Sequence, residues 1–285
     1  MAEVLQRLVN LLQLEQLDDG LYRGETQDLG FGHLFGGQVL GQALSAAQGS
    51  VPEGRDVHSF HSYFLRAGDL SKPVIYEVAN LRDGGNFSAR RVNAKQHGRP
   101  IFFMTASFHA LEPGPDYQVT MPEAPEPTSF PSQQELAEQL RHKLSASLVD
   151  KFLENVAIEV RVAEDMRLLG KERTPTRQVW MRTTHPLPDD PHIHRYLLAY
   201  ASDLNFLTTA CKPLGLTPFT PGLKLATIDH AMWYHRPFRF DDWLLFQIDC
   251  PTTVNSRGLV RGQFFNRAGE LIATAQQEGL IRQQR

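Results

Sequence analysis

Gly36-Gly37-Gln38-Val39-Leu40-Gly41-Gln42-Ala43-Leu44-Ser45-Ala46-Ala47 reads as a helix that is apolar almost all round. A helix with so little polar face is one that other elements surround. Strand-like runs follow it, at His58 to Leu65, Val74 to Val78, Phe87 to Ala94 and Ile101 to His109. The same order then returns. A second apolar helix is expected from Ile193 to Ala210, followed by strands at Lys224 to His235, Trp243 to Asp249, Gly258 to Asn266 and Leu271 to Ile281. Gln96-His97-Gly98-Arg99 and Asn266-Arg267-Ala268-Gly269 fall at matching hairpin positions, each with the glycine a turn often wants. A shift of 170 residues pairs Tyr63-Phe64-Leu65-Arg66 with Trp233-Tyr234-His235-Arg236, and Val74 to Val78 with Leu244 to Ile248. Identity between the halves is low, so the match resides in the order: a long apolar helix, then an antiparallel meander, twice. A long sheet wrapped round each helix would bury it on nearly all sides.

Six of the 18 prolines lie between Pro113 and Pro131. Proline fixes φ, removes a donor and discourages helix in the residue before it, so this stretch is expected to be an extended connector. It ends in Ser132-Gln133-Gln134-Glu135, a capping box. Leu136, Leu140, Leu144, Leu148 and Phe152 follow at a spacing of four, which predicts a helix over 133–153. The chain therefore divides into a first unit, 1–112, a connector and linker helix, 113–155, and a second unit, 156–285.

The chain has 285 residues, a net charge of −3 and a pI near 6.4, which argues against a general nucleic-acid binder. Its longest uninterrupted apolar run, Tyr196 to Ala201, is far short of the roughly 20 residues a membrane helix needs. The N-terminal segment, interrupted by Glu3, Arg7, Asn10 and Gln13, reads as an amphipathic helix and not a secretory signal. With two cysteines in unrelated contexts, Cys211 and Cys250, a reducing cytoplasm is expected. There is no Gly-x-Ser-x-Gly elbow and no phosphate loop, and Gly30-Phe31-Gly32-His33-Leu34-Phe35 lacks the last glycine of a dinucleotide fingerprint. His58 and His61, three apart on a strand, are expected on opposite faces, so no metal site is expected and no cofactor.

Three places carry groups able to do chemistry. In Tyr200-Ala201-Ser202-Asp203-Leu204-Asn205-Phe206-Leu207 an acid sits among apolar residues, expensive to bury unless hydrogen-bonded. It is a functional carboxylate, or Ser202 or Asp203 caps a helix beginning near Leu204, and the two roles can coexist. In Ala226-Thr227-Ile228-Asp229-His230, alternation puts Thr227 and Asp229 on one face and Ile228 and His230 on the other. In Ala273-Thr274-Ala275-Gln276-Gln277-Glu278-Gly279, polar residues interrupt a terminal strand, as an edge or solvent-facing stretch also would.

These three stretches, together with Phe35-Gly36-Gly37-Gln38-Val39 and His58-Ser59-Phe60-His61-Ser62-Tyr63-Phe64-Leu65-Arg66, resemble acyl-CoA thioesterase II in order and spacing over almost the whole chain. The resemblance implies an α+β double hotdog fold: two tandem units, each a long helix wrapped by an antiparallel sheet. It implies that an Asp, a Thr and a Gln position one water, and by motif these fall on Asp203, Thr227 and Gln277. The activity implied is hydrolysis of medium- to long-chain acyl-CoA to fatty acid and free coenzyme A, without cofactor or covalent intermediate. Other readings are a hotdog enoyl-CoA hydratase or dehydratase, which would have to recruit His230 or His235, and a non-catalytic acyl-CoA binding module. The first unit offers Gly36 and Gly37 where the second offers Ser202 and Asp203, and Ser107 or Phe108 near the counterpart of Gln277, so one active site per chain is expected. Arg66, Arg90, Arg91, Lys95 and Arg99 are possible phosphate partners for coenzyme A. The acyl-CoA substrate is the implied partner, with no nucleic acid and no membrane, and the chain is expected to assemble as a homo-oligomer, a tetramer by the resemblance.

Overall fold

Alternating burial along Phe87 to Gln96 and along Arg99 to Ala110 makes these runs strands with one face in a core. In the computed structural model, which describes residues 3–30, 32–139, 141–142, 149–150, 153–154, 156–165 and 168–283, such strands form one large antiparallel sheet. The first half supplies α1 (Glu3–Leu12), β1 (Glu15–Asp18), β2 (Leu21–Gly24), α2 (Gly36–Gln48), β3 (Arg55–Phe64), β4 (Val74–Asp83), β5 (Phe87–Gln96) and β6 (Arg99–Ala110). The capping box is present at α3 (Gln133–Gln139): Ser132 N–H donates to Glu135 Oε2 at 2.6 Å, and Glu135 N–H to Ser132 Oγ at 3.2 Å. Leu140, Leu144, Leu148 and Phe152 of the helix expected over 133–153 lie outside the described residues. The second half supplies β7 (Ile158–Val162), β8 (Thr176–Thr183), α4 (Pro191–Ser202), β9 (Leu223–Thr227), β10 (Asp229–Tyr234), β11 (Leu244–Val254), β12 (Arg257–Asn266) and β13 (Leu271–Gln283).

The sheet runs β1-β2-β4-β5-β6-β3-β10-β13-β12-β11-β8-β7, with β9 also paired to β13. Its seam is β3 against β10, from Asp229 opposite Tyr63 to Trp233 opposite Ser59. The 170-residue offset is visible in the registers. Ile75 faces Lys95 in the first half, and Leu245 faces Phe265 in the second. On the last strand the offset becomes 171: Thr105 faces His61, and Gln276 faces Ala231. The cause is the hairpin before it. Lys95 pairs with Pro100, whereas Phe265 pairs with Leu271, one residue further round the turn. The counterpart of Gln277 is thus Ala106, not Ser107 or Phe108.

A bulge between Val57 and Ser59 places both Val57 and Phe60 in the core. His58 and His61 consequently share the outer face, contrary to simple alternation. They meet different partners, Ser107 and the Trp233 ring.

The two apolar helices pack on each other, antiparallel, with the start of α2 beside the end of α4. A Cβ on Gly37 would lie 2.1 Å from the Tyr200 carbonyl oxygen, so only glycine allows this approach. α4 opens on Asp190, which accepts from His192 N–H at 2.9 Å, with Pro191 at the first helical position. It ends at Ser202, eight residues before the expected Ala210. Asn205 is in the left-handed region at φ 61°, which stops the helix, and a 3-10 segment follows at Leu207–Leu214. Arg177 pins this turn through the Asn205 carbonyl at 3.3 Å and the Thr208 hydroxyl at 2.6 Å. The 3-10 segment begins on Phe206 without a side-chain cap, so the N-cap reading of Ser202 and Asp203 fails. Asp203 is instead the residue that closes α4.

The proline-rich stretch crosses the outer face of the second half. Trp180 Nε1 donates to the Pro125 carbonyl at 2.8 Å, and Gln118 binds Gly269 and Leu271. Met121 and Ala124 cover a small cluster of Trp180, Trp243, Leu245 and Phe265. Among the described residues no helix is long and apolar enough to cross a membrane.

Candidate active site

Asp203 stands at the C-terminal end of α4, where the helix dipole disfavours a negative charge. An acid retained there gains nothing from its own helix. Its partners come from other elements. The antiparallel packing sets the start of α2 beside it, and the Gly37 N–H donates to its carboxylate. A Cβ on Gly36 would lie 2.6 Å from Asp203 Oδ2. Gly36 and Gly37 are therefore neighbours of Asp203 and not its counterparts. Counting from the first residue of each helix, the counterpart of Asp203 is Gln48.

β13 brings the other two residues. Gly279 pairs with Thr227 across β9, and Gln277, two residues along, shares its face. Gln277 Nε2 donates to Thr227 Oγ1 at 2.8 Å, and the Thr227 hydroxyl points to Asp203 Oδ1 at 3.4 Å. Gln277 also hydrogen-bonds Asp203 directly. Asp203, Thr227 and Gln277 thus form a closed triangle, with Gln277 fully buried and Asp203 and Thr227 partly open. Burial raises the Asp203 carboxyl from 3.8 to about 6, against the opposing pull of bonds from Gln277, Gly37 and Thr227 and of nearby His33.

The alternation expected through Thr227 to His230 is broken. β9 ends at Thr227 and β10 begins at Asp229, with Ile228 N–H donating to the Glu278 carbonyl between them. Both Thr227 and His230 therefore reach Gln277; His230 Nδ1 lies 2.9 Å from its Oε1. Asp229 turns away and accepts from Glu278 N–H at 2.7 Å. Burial pushes His230 down to about 4, so the ring is neutral near pH 7. Two participants were missed by the sequence reading: the Gly37 amide and His230 as a partner of Gln277. A visible pointer to the second was its position immediately after Thr227 and Asp229.

Of the residues considered for phosphate, Arg90 is buried and bound to Asp83, Asn80 and Ser50, and Lys95 is paired with Glu77. Arg91 lies over the Phe103 ring, 5.0 Å from its centre. Among the described residues no group of three or more His, Cys, Asp or Glu side chains is placed to hold a metal ion.

Two helices packed within a continuous antiparallel sheet define a double hotdog protein. The acyl-CoA thioesterase family profile matches residues 147–280, and the profile of the acyl-CoA thioesterase N-terminal domain matches residues 25–109. The chain is 44% identical over 283 residues to acyl-CoA thioesterase 2 of Haemophilus influenzae, covering 99% of each. The crystal structure of an acyl-CoA thioesterase II from Mycobacterium marinum is 39% identical, covers 98% of both chains and superposes with a TM-score of 0.80. A hot dog fold protein from Alicyclobacillus acidocaldarius, 18% identical over 98% of this chain and 99% of its own, shares the fold with a TM-score of 0.78. The chain belongs to the acyl-CoA thioesterase family.

Proposed function

We propose that this acyl-CoA thioesterase hydrolyses medium- to long-chain acyl-CoA by direct attack of one water held at Asp203, Thr227 and Gln277. The carrying observation is the closed triangle with a partly buried carboxylate whose pKa is raised to about 6. Such a group is ionised near pH 7 yet basic enough to take a proton, and a base of this kind contributes about 10²–10⁴-fold. Asp203 accepts the proton of the attacking water. With the water in place, the Thr227 hydroxyl and the Gln277 N–H that otherwise goes to Asp203 fix its remaining hydrogen bonds, so that the water is oriented before the reaction begins. Carbon–sulfur cleavage then releases the coenzyme A thiol and the fatty acid. No protein atom becomes acylated.

One such site operates per chain. The counterparts of Asp203, Thr227 and Gln277 in the first half are Gln48, Val57 and Ala106, none of which ionises. A hydratase needs a histidine to deliver a proton to carbon, and His230 has both ring nitrogens engaged, by Gln277 and Ser202. The same proposal includes the division into 1–112, 113–155 and 156–285, a cytoplasmic location, and a homo-oligomer of tetrameric type. Exposed Tyr63, Leu65 and Phe87 on the first half support assembly.

The test is thiol release from a panel of acyl-CoAs, short to long, by wild type and Asp203→Asn. Wild type releases thiol fastest from medium to long chains, and the variant is slower by about 100-fold or more. Equal rates in the two proteins remove Asp203 from the mechanism. A preference for short chains overturns the substrate assignment.

A further inference from the structure

We infer that His230, backed by Ser202, is a positioning residue that fixes which way the Gln277 amide faces; this rests on the reading of Asp203, Thr227 and Gln277 given above. A carboxylate only accepts hydrogen bonds. Gln277 bonds both to Asp203 and to Thr227 Oγ1, so its NH₂ group faces the triangle. Its Oε1 therefore faces the other way, 2.9 Å from His230 Nδ1. An amide oxygen only accepts, so Nδ1 carries the proton. A neutral imidazole has one such proton, which leaves Nε2 as an acceptor. Ser202 Oγ lies 3.0 Å from Nε2 and 2.8 Å from the Ala199 carbonyl. The single Ser202 hydroxyl proton, which the Ala199 carbonyl accepts, is divided between that oxygen and Nε2, the two acceptors it faces.

The ring is held on all sides. It has no exposed surface. It stacks on Phe60 of β3 at 6.1 Å, and Phe206 meets its face edge-on at 5.7 Å. The Ser62 hydroxyl donates to the His230 carbonyl at 2.7 Å, so the first half of the chain also steadies it. No charged group is among these neighbours, which are Ser202, Gln277, Phe60, Phe206 and Ser62. Asp203 itself is faced by His33 from the segment before α2, Tyr200 on α4, Gly37, Thr227 and Gln277.

Orientation and proton position are coupled. Were the proton on Nε2, Nδ1 would need a donor, and the amide would turn over to supply one. Its oxygen would then face the Asp203 carboxylate, oxygen against oxygen. The Nδ1–H of His230, bonded to Gln277 Oε1, prevents this, and neither His230 nor Ser202 touches the reacting atoms.

His230→Phe keeps an aromatic ring in the pocket but removes the donor. His230→Asn places an amide N–H near the position of Nδ1. Steady-state thiol release is measured with a long-chain acyl-CoA across about pH 5 to pH 9, with Asp203→Asn alongside. His230→Phe lowers kcat by about 10- to 100-fold while KM stays within about threefold. The acid limb of its kcat/KM profile moves up by about one unit, because the carboxylate loses a donor. His230→Asn returns the limb to its wild-type position and recovers most of kcat. Wild-type kcat in His230→Phe, beside an inactive Asp203→Asn, overturns the positioning role alone. Equal losses in both His230 variants with the limb unmoved assign His230 to packing and also overturn it. Full activity in Asp203→Asn overturns the reading of the site itself. Urea unfolding of each variant distinguishes lost orientation from a lost fold, and a collapse of His230→Phe leaves the decision to His230→Asn, whose wild-type limb and kcat are required by the inference.

Discussion

Replacing Asp203 by Asn should make the protein more stable while making it nearly inactive. The carboxyl pKa is about 6 in the folded protein against an ordinary 3.8. The folded state thus binds this proton more tightly than the unfolded chain. Stability is present in full below the lower value and is lost as pH rises through 4 to 6. Each unit is worth about 1.36 kcal/mol, so the ionised group costs at most about 3 kcal/mol above pH 7. Asp203 is partly open to solvent, which places the true cost below that figure. Between about pH 5 and about pH 7.5 the linkage accounts for roughly 1 kcal/mol of the change. Asparagine has no proton to lose and escapes it. Urea unfolding of both proteins at the two pH values reads this directly. The advantage of Asp203→Asn should grow by about 1 kcal/mol between them. An advantage of the same size at both pH values would refute the burial argument, whatever its absolute magnitude, because altered hydrogen bonds in the variant are independent of pH.

Four other outcomes follow from the same geometry. The kcat/KM of wild type should fall about tenfold per unit below pH 6 and level off above it, as Asp203 must be ionised to accept a proton; a flat profile from about pH 5 to pH 7 contradicts that role. Gly37→Ala pushes a Cβ to 2.1 Å from a backbone carbonyl that cannot yield, and should cost about 1–3 kcal/mol in urea unfolding. Gly36→Ala meets the Asp203 side chain instead, at 2.6 Å, and should reduce kcat by about tenfold or more with little change in unfolding. Arg177→Met removes a partner of partly buried Glu164 and the clamp on the turn after Asp203, leaving Lys212 as the partner of Glu164; a loss of about 3 kcal/mol in unfolding free energy is expected.

The architecture was legible because each half repeats one pattern strongly enough to survive low identity. Helix apolarity announced burial, and the 170-residue shift matched the real register of β4 against β5 and of β11 against β12. Failures occurred where a single residue changes the phase. One extra residue in the second hairpin moved the counterpart of Gln277 to Ala106. A bulge at Val57 and Ser59 put His58 and His61 on one face. The break at Ile228 turned His230 towards the site. Period-two reasoning cannot see such slips, since a shift of one residue inverts every side chain beyond it. The early end of α4 had a visible signal in Ser202, Asp203 and Asn205, all poor helix formers, yet the apolar residues around them outweighed it. Asp203, Thr227 and Gln277 were found through motif resemblance. Composition alone left each open, because their proximity comes from antiparallel helix packing and a β9–β13 register that no local window contains.

The central claim is that water attacks the thioester directly, and a single turnover in oxygen-18 water tests it. Enzyme is held in excess over a long-chain acyl-CoA, and both the released fatty acid and the protein are weighed by mass spectrometry. Direct attack predicts one heavy oxygen in the fatty acid, no acyl mass on the protein at any time, and no label in the peptide containing Asp203. An acylated protein, or a heavy oxygen in Asp203 with an unlabelled fatty acid, would contradict the account.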